Sequence, residues 1–151
     1  NKVVKNLKTM GMSLKPCTVF TTGKESFEIA DDEVEIGLGI HGEPGTHREK
    51  MTTANEFTEK LFEKVYAESN VQKGDKFAVL VNGLGETTLI ELFIINNHLQ
   101  DLLKDKGVEV AKTLVGNYMT SLDMGGFSIT LLKLDSEMEE LLKAEEDTIA
   151  F

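Results

Sequence analysis

The sequence is poor in cysteine, in long apolar stretches and in basic residues, and each shortage excludes a class of protein. Its one cysteine, Cys17, cannot close a disulfide within the chain, which is typical of a protein in a reducing compartment. No apolar run approaches the roughly 20 residues of a membrane span. The first twenty residues also lack the apolar block and the small-residue cleavage site of a signal peptide. We therefore expect a cytoplasmic protein.

The balance of charge narrows the choice of partners. Lys and Arg number 16 against 26 Asp and Glu, which gives a formal net charge of −10 at pH 7 and an isoelectric point near 4.8. Direct binding to nucleic acid or to an anionic membrane surface needs a basic stripe, and this balance of charge argues against both. With 151 residues, 40% of them apolar, the chain is long enough for one domain with its own core.

Hydrophobic periodicity predicts helices interspersed with about five strands. Helices are expected at residues 1–10, 53–69, 86–106 and from Ser136 onward, and strands at 33–40, 76–82, 108–115 and 127–134. Pro16 confines residues 12–21 to an edge strand or an extended segment. Several consecutive strands lack an intervening helix, so the sheet should be mixed, with the helices gathered on one face. The sequence thus predicts a two-layer α/β domain with a mixed β-sheet covered by helices.

Local signals refine these elements. Gly11 is the residue type that ends a helix, so the first helix is expected to stop there. Thr53 and Glu56 have the spacing of a capping box at the start of the second helix. The run KFAVLVN at 76–82 is typical of a strand buried on both faces, or nearly so. In the last helix Ser136 is the expected N-cap, and the side chains expected to face inward are Met138, Leu141 and Leu142.

The strongest candidate for chemistry is His41, which stands in the segment GIHGEPG at residues 39–45. It follows directly on a predicted strand and lies between glycines, so a rigid element presents an imidazole in a loop with little surrounding bulk. A neutral imidazole is available at cytoplasmic pH as a nucleophile or a proton acceptor. The alternative is a sharp turn with a solvated or hydrogen-bonded histidine, and composition alone does not decide between the two.

A metal site is the weaker interpretation of the same loop. His41, Glu43 and His47 have the spacing H-x-E-x₃-H, but Pro44 breaks any helix that would place them on one face, and the lone Cys17 has no companion ligand nearby in sequence. The sequence therefore predicts no metal ligands. The third histidine, His98, is expected on the surface of the long helix or partly buried there.

Two glycine-containing segments and one acidic segment also need an interpretation. The segment NGLGETT at 82–88 follows a strand and opens a helix, as a dinucleotide-binding turn does, but it lacks the third glycine and carries Glu86 where a phosphate would lie. A tight turn is therefore favoured, and no nucleotide site is predicted. Asp123, in LDMGG at 122–126, is a candidate acid or metal ligand, although a turn is again favoured. The acidic segment 135–147 is typical of a solvated helix face.

Four sequence blocks, taken together, resemble one known family. Besides GIHGEPG, they are MGMSLKPCT at 10–18, LVNGLGETTL at 80–89 and YMTSLDMGGFSITL at 118–131. In this order they are similar to the substrate-binding subunit of dihydroxyacetone kinases, and the resemblance extends over nearly the whole chain. It implies a two-layer α/β unit with a mixed sheet, the C-terminal domain of a protein about twice as long, in which Asn1 is an internal position.

The resemblance also implies what the site does. His41 matches the histidine that, in the family, adds to the C2 carbonyl of dihydroxyacetone and holds it as a hemiaminal for phosphoryl transfer. The family's acid/base pair and hydroxyl-binding groups belong to the other domain, so only His41 is transferred here as a catalytic and substrate-binding residue. No cofactor is expected on this chain, because ADP or ATP with Mg would be carried by a partner nucleotide-binding subunit, in the bacterial branch as part of a phosphotransferase system.

Two further expectations follow from the family. Its members form homodimers, and the apolar residues of the segment 86–106, among them Leu92, Phe93 and Ile94, offer either an interface or a core. Some paralogues bind dihydroxyacetone but act as transcriptional coactivators through a protein partner. The sequence of this chain does not separate the kinase subunit from such a sensor.

Overall fold

The computed structural model describes residues 2–41, 43–145 and 148. In chain order its elements are α1 Lys2–Asn6, β1 Leu7–Lys15, β2 Thr18–Val19, β3 Lys24–Glu25, β4 Glu33–Ile36, β5 His47–Lys50, α2 Ala54–Glu68, β6 Lys76–Gly83, α3 Leu89–Asp105, β7 Glu109–Gly116, β8 Gly125–Leu134 and α4 Ser136–Lys143.

Six of the strands form one mixed sheet in the order β5-β4-β1-β8-β6-β7. Neighbouring strands are antiparallel except β6 and β7, which are parallel and are connected by the helix α3. A parallel pair needs such a crossover, whereas antiparallel neighbours need only short connections. The predicted mixed sheet is confirmed, and β2 and β3 add a small separate hairpin.

One face of this sheet is covered by α2 and α3, which confirms the two-layer α/β architecture. Along β6 the side chains of Phe77, Val79 and Val81 are buried in the same core as the inner faces of both helices. The side chains between them, including Ala78 and Leu80, are only partly buried, because they face the other side of the sheet. No residue of β6 is exposed, so the strand is nearly, but not fully, buried on both faces, which is the weaker form of the prediction.

The first ten residues differ most from the prediction. The helix ends at Asn6, and the chain continues as β1, an interior strand between β4 and β8. Residues 12–15 of the supposed edge segment belong to this interior strand, which ends just before Pro16. Gly11 is not a helix stop: its carbonyl accepts a hydrogen bond from the N–H of Gly37 (2.7 Å), and a Cβ there would lie 3.3 Å from the Leu38 carbonyl oxygen. The helix predicted over residues 1–10 was wrong beyond Asn6, where Met10 and Met12 alternate as strand residues do.

The helices α2, α3 and α4 are capped by residues of the expected types, but the start of α3 and the N-cap of α4 differ from the prediction. Thr53 and Glu56 form the predicted capping box. The long helix begins at Leu89, after Thr88, and not at Glu86. In α4 the N-cap is Asp135, whose carboxylate accepts from the Met138 N–H at 2.9 Å, instead of Ser136.

Of the three side chains predicted to face inward in α4, Met138 is buried, Leu142 is half-buried and Leu141 is exposed. Most of the acidic segment 135–147 carries exposed carboxylates, as predicted; residues 146 and 147 lie outside the described residues. Among the described residues, no helix has both the length and the apolar content to cross a membrane.

The buried face of α3 should carry much of the stability of the domain. Leu99 is fully buried there, so Leu99→Ala is expected to lower the free energy of unfolding by about 2–5 kcal/mol through lost burial and the cavity left behind. Leu89 lies on the same helix but is half exposed, so Leu89→Ala should change the free energy of unfolding by less than about 0.5 kcal/mol. Denaturant titration of both variants measures the difference, and equal effects would contradict this assignment of the core.

Candidate functional site

The loop that carries His41 connects β4 to β5 and is closed at its base by backbone hydrogen bonds. The N–H of Thr46 donates to the Ile36 carbonyl at 2.7 Å, and the N–H of Gly37 donates to the neighbouring strand β1. Gly37 has a φ of +81°, a conformation that glycine adopts without strain, and this is where the strand predicted to reach residue 40 ends. The strand therefore sets the base of the loop, and the described residues 37–41 and 43–46 project from it.

Within the loop, His41 is paired with Glu43. The imidazole Nδ1 lies 3.0 Å from one carboxylate oxygen of Glu43, and the other oxygen accepts from the His41 N–H at 3.1 Å. Gly39 makes room for this arrangement, since a Cβ there would lie 2.2 Å from the Glu43 carboxylate. An ionised carboxylate only accepts hydrogen bonds, so a neutral His41 ring in this pair carries its proton on Nδ1 and its lone pair on Nε2.

The environment of Glu43 favours its ionised form. Its own backbone N–H contributes most to keeping the pKa of the Glu43 carboxyl below the ordinary 4.5; partial desolvation opposes this, and the His41 ring and the His41 N–H lower it further. The carboxylate therefore remains a hydrogen-bond acceptor at neutral pH. The His41 side chain is 80% exposed, so its free nitrogen is open to a ligand.

The loop stands beside a groove of about 730 Å³ on the face of the sheet that α2 and α3 leave uncovered. One wall is formed by residues 37–40 of the loop. The opposite side is formed by Asn82, Leu84 and the segment 117–124 through Tyr118 and Met119. Below the loop lies a second apolar cluster, separate from the main core, of Cys17, Leu38, Leu84 and Met124, with Phe27 and Ile40 packed against it. This cluster ties the His41 loop to the two glycine segments singled out in the sequence.

A buried amide holds the far wall of the groove. The Asn82 side chain, 2% exposed, accepts from the N–H groups of Tyr118 (2.9 Å) and Met119 (2.8 Å) and donates to the Met119 carbonyl (2.8 Å). One side chain thus satisfies three backbone groups of a segment without regular structure, which fixes its position against β6.

The NGLGETT segment is a tight turn, as favoured from the sequence. A Cβ on Gly83 would lie 2.2 Å from the Asn117 side-chain oxygen, and one on Gly85 would lie 2.5 Å from the Leu122 carbonyl oxygen. The glycines thus allow close packing against residues 117–122, and the Glu86 carboxylate is paired with Lys15. Asp123 also has a structural role, because it accepts a hydrogen bond from the Thr18 N–H at 2.6 Å.

The remaining histidines are paired away from His41. His47 Nδ1 lies 3.0 Å from the Thr46 hydroxyl, and its Nε2 faces Glu49. His98 is half-buried on α3 and lies 2.8 Å from a carboxylate oxygen of Glu59. Among the residues that the structure describes, no three His, Cys, Asp or Glu side chains come together as a metal site would require.

Fold and loop together match one known family. Residues 1–150 match the Dak1 domain model, and the chain belongs to the Dak1 domain family. The family resemblance inferred from the four sequence blocks is thus confirmed. A curated relative, the "PTS-dependent dihydroxyacetone kinase 1, dihydroxyacetone-binding subunit DhaK" of Listeria innocua, is 50% identical over 151 residues. That alignment covers 99% of this chain and 46% of the relative, so the chain spans about half of that protein's length.

Among solved structures with the same fold, one is named as a co-activator and another as a kinase. The dihydroxyacetone kinase operon co-activator DhaQ is 38% identical and superposes with a TM-score of 0.83 over 89% of this chain and 42% of its own. The dihydroxyacetone kinase of C. freundii is 26% identical, with a TM-score of 0.76 over 95% of this chain and 26% of its own. The fold is therefore shared by a kinase and a coactivator.

Sequence reasoning overlooked three residues of this site. Glu43 was considered only as a metal ligand, although its separation of two residues from His41 is short enough for direct pairing. Asn82 was treated as part of a turn. Glu35, an apparently exposed polar position of an alternating strand, is 7% exposed and contacts the loop. Only the Glu43 pairing had a signal in the sequence, because the other two depend on contacts distant along the chain.

The His41–Glu43 pair can be tested by titration. Removing the ring in His41→Ala should raise the pKa of Glu43 only part of the way to 4.5, because the Glu43 N–H, its largest stabilising partner, remains. Carbon-13 NMR of the Glu43 carboxyl measures this. His47→Ala is the control, since that ring faces Glu49, and an unchanged Glu43 pKa in His41→Ala would contradict the pairing.

The anchoring of the groove wall gives a second test. Asn82→Ala should destabilise the domain by about 1–3 kcal/mol, the usual loss when a buried hydrogen-bonded partner is removed. It should also speed hydrogen exchange at the Tyr118 and Met119 amides. Ser128→Ala leaves the bonds between Asn82 and the segment in place and serves as the control. Exchange as slow as in the unsubstituted protein would show that the segment is held by other contacts.

Proposed function

We propose that this chain is the dihydroxyacetone-binding domain of a dihydroxyacetone kinase, with His41 as the residue that binds the substrate covalently. The observation that carries the proposal is the geometry of the loop: an exposed imidazole whose Nδ1 is 3.0 Å from a carboxylate, in a chain that belongs to the Dak1 domain family. The name of the Listeria innocua relative, which refers to binding of dihydroxyacetone, supports the choice of ligand.

The chemistry follows from the tautomer that Glu43 selects. The Nε2 lone pair of His41 forms a bond to the C2 carbonyl carbon, and the π electrons of the C=O bond move to oxygen. The Glu43 carboxylate balances the positive charge that develops on the ring. The alkoxide then takes up one proton and the ring gives up the proton on Nδ1. The net reaction adds N–H across C=O, with no leaving group, and is reversible.

This adduct explains selectivity and positioning together. A ketone or an aldehyde can form it, whereas a polyol such as glycerol has no electrophilic carbon and cannot. Once bound through C2, the substrate has its terminal hydroxyl held at a fixed distance from the loop, which lowers the entropic barrier to phosphoryl transfer.

The phosphoryl donor, in this proposal, comes from a separate nucleotide-binding subunit that carries ADP or ATP with Mg. The turn at residues 82–88 supports this division, because its glycines are packed against the segment 117–122 and Glu86 is paired with Lys15. On the family resemblance, we further propose that the chain is the C-terminal domain of a longer cytoplasmic subunit and that this domain alone does not turn over substrate. The chain spans 46% of the Listeria innocua relative.

Homodimer formation is part of the same proposal. On α3, Leu92 packs into the core, but Phe93 and Ile94 are more than half exposed, next to the exposed Leu89 and Ile90. An apolar patch of this kind is typical of an interaction surface. Of the two roles that the sequence left open for this helix, its inner face therefore serves the core, and its outer face is available for an interface.

A second candidate function is a dihydroxyacetone-sensing coactivator of transcription. It is favoured by the higher TM-score with the DhaQ coactivator, 0.83, than with the C. freundii kinase, 0.76. Formation of the adduct would be common to both functions. The two are distinguished by partner, because a kinase subunit must bind the nucleotide-binding subunit and a coactivator must bind a transcription regulator.

The decisive experiment follows the carbonyl carbon of dihydroxyacetone. In the complete protein, [2-¹³C]dihydroxyacetone should show its carbonyl signal replaced by that of a tetrahedral carbon, and His41→Ala should abolish this signal. With the nucleotide-binding subunit and a phosphoryl donor present, turnover by His41→Ala should fall by at least about 100-fold, the scale of losing a covalent catalytic group.

His47→Ala is the matched control, because it removes an imidazole from the adjacent strand without touching the Glu43 pair. Equal binding and turnover by His41→Ala and the unsubstituted protein would refute the role of His41. Adduct formation without turnover, together with capture of a transcription regulator, would establish the coactivator in place of the kinase.

A further inference from the structure

A carboxylate on β4 is buried beneath the returning half of the His41 loop. The Glu35 side chain is 9% exposed; one of its oxygens accepts from the N–H of Gly45 at 2.6 Å and the other from Nε of Arg48 at 3.3 Å. Its neighbours Val34 and Ile36 point into the main core. Alternation therefore places Glu35 on the opposite face of the sheet, where α2 and α3 do not cover it.

What covers Glu35 is the loop itself. A Cβ on Gly45 would lie 2.8 Å from Cγ of Glu35 and 2.3 Å from the Ile36 carbonyl oxygen, so the loop backbone lies directly on the strand at this point. Burying a carboxylate is costly unless it is well paired. The Gly45 N–H offsets part of this cost, because its hydrogen bond to the carboxylate is charge-assisted and therefore stronger than a bond to a neutral side chain.

This bond lies close to the reacting group. Gly45 is two residues after Glu43, whose carboxylate binds the Nδ1 of His41 and whose carbonyl accepts from the Gly39 N–H at 3.3 Å. The His41 ring, being 80% exposed, has little packing of its own to hold it. Its orientation therefore depends on Glu43, and the position of Glu43 depends on how the returning half of the loop is fixed.

We infer that Glu35 is a positioning residue for the His41–Glu43 pair, acting through the backbone of Gly45. It does not touch the ligand. The inference extends the proposed function, since it concerns the same site, but the tautomer of His41 makes it testable without any ligand. The bond to the Gly45 N–H requires an acceptor at this position, and glutamine provides one of similar reach.

The test compares Glu35→Ala, Glu35→Gln and Glu33→Ala in the complete protein. Glu33 is the matched control, because it is a glutamate of the same strand and the same face and is paired with Lys50 instead of the loop. Nitrogen-15 NMR of the His41 ring reports the share of the Nδ1–H tautomer, the carbon-13 signal reports affinity for dihydroxyacetone, and thermal melting reports folding.

Glu35→Ala should reduce the share of the Nδ1–H tautomer and weaken adduct formation by about tenfold, the scale of losing a hydrogen bond to a charged group. Glu35→Gln should stay within about threefold of the unsubstituted protein, because it keeps the acceptor. Glu33→Ala should stay within about twofold, as expected for a peripheral ion pair. If Glu35→Ala does not fold, Gly45→Ala replaces it. The added Cβ would lie 2.3 Å from the Ile36 carbonyl oxygen and 2.8 Å from Cγ of Glu35, so it separates the loop from Glu35 and should have the same effect on the tautomer.

An unchanged His41 tautomer in Glu35→Ala, or in Gly45→Ala where that variant is needed, would overturn the inference. An equal loss in Glu33→Ala, or a Glu35→Gln variant as impaired as Glu35→Ala, would overturn it as well. Failure of the proposed function has a different signature, since the unsubstituted protein would then show no adduct while its nitrogen-15 spectrum still reports the effect of Glu35.

Discussion

The structure depends on the apolar face of the sheet that α2 and α3 bury. Alternate side chains of β1, β6 and β8 are buried against α2 and α3, and that burial holds both helices in place. The other face, which these helices leave uncovered, forms the floor of the open groove. It carries leucines, Leu7, Leu80 and Leu114, beside the polar side chains of Thr9, Asn82 and Ser128. The His41 loop, the turn at 82–88 and the segment 117–124 meet along this groove. One face of the sheet thus carries the main core, and the other face carries the candidate site.

The site combines a firmly held base with an exposed tip. Backbone bonds at Gly37 and Thr46, the buried Glu35 and the apolar cluster around Leu84 fix the lower part of the loop. The imidazole of His41 is left in contact with solvent and oriented by one carboxylate. In the proposed function, a nucleophile that accepts and releases a small ketone benefits from both properties, since it stays accessible while its reactive nitrogen is already selected.

Much of this fold was predictable because the period of apolar residues distinguishes strand from helix over long segments. The segments at 76–82 and 127–134 and the capping box at Thr53 were predicted correctly. The errors lie where local pattern is ambiguous: Leu7 and Met10 are three residues apart, as on one face of a helix, but both belong to β1, and only the pairing of β1 with β4 and β8 decides this. Likewise, His41 was singled out from a predicted strand end and its flanking glycines, although β4 ends five residues earlier, at Ile36. Glu35 and Asn82 acquire their roles through partners 10 and 36 residues away.

In the proposed function, the charges of the His41 loop serve to hold the ligand, whereas the group that is transferred to the ligand comes from elsewhere. The Glu43 carboxylate, whose pKa lies below its ordinary value, stays ionised and serves His41 by orienting the ring and balancing its charge. In the same proposal, the phosphoryl group comes from the separate nucleotide-binding subunit. The proposed domain, which binds a carbonyl without completing a reaction, is compatible with a kinase subunit and with a coactivator. The same physical division accounts for relatives of both names on one fold.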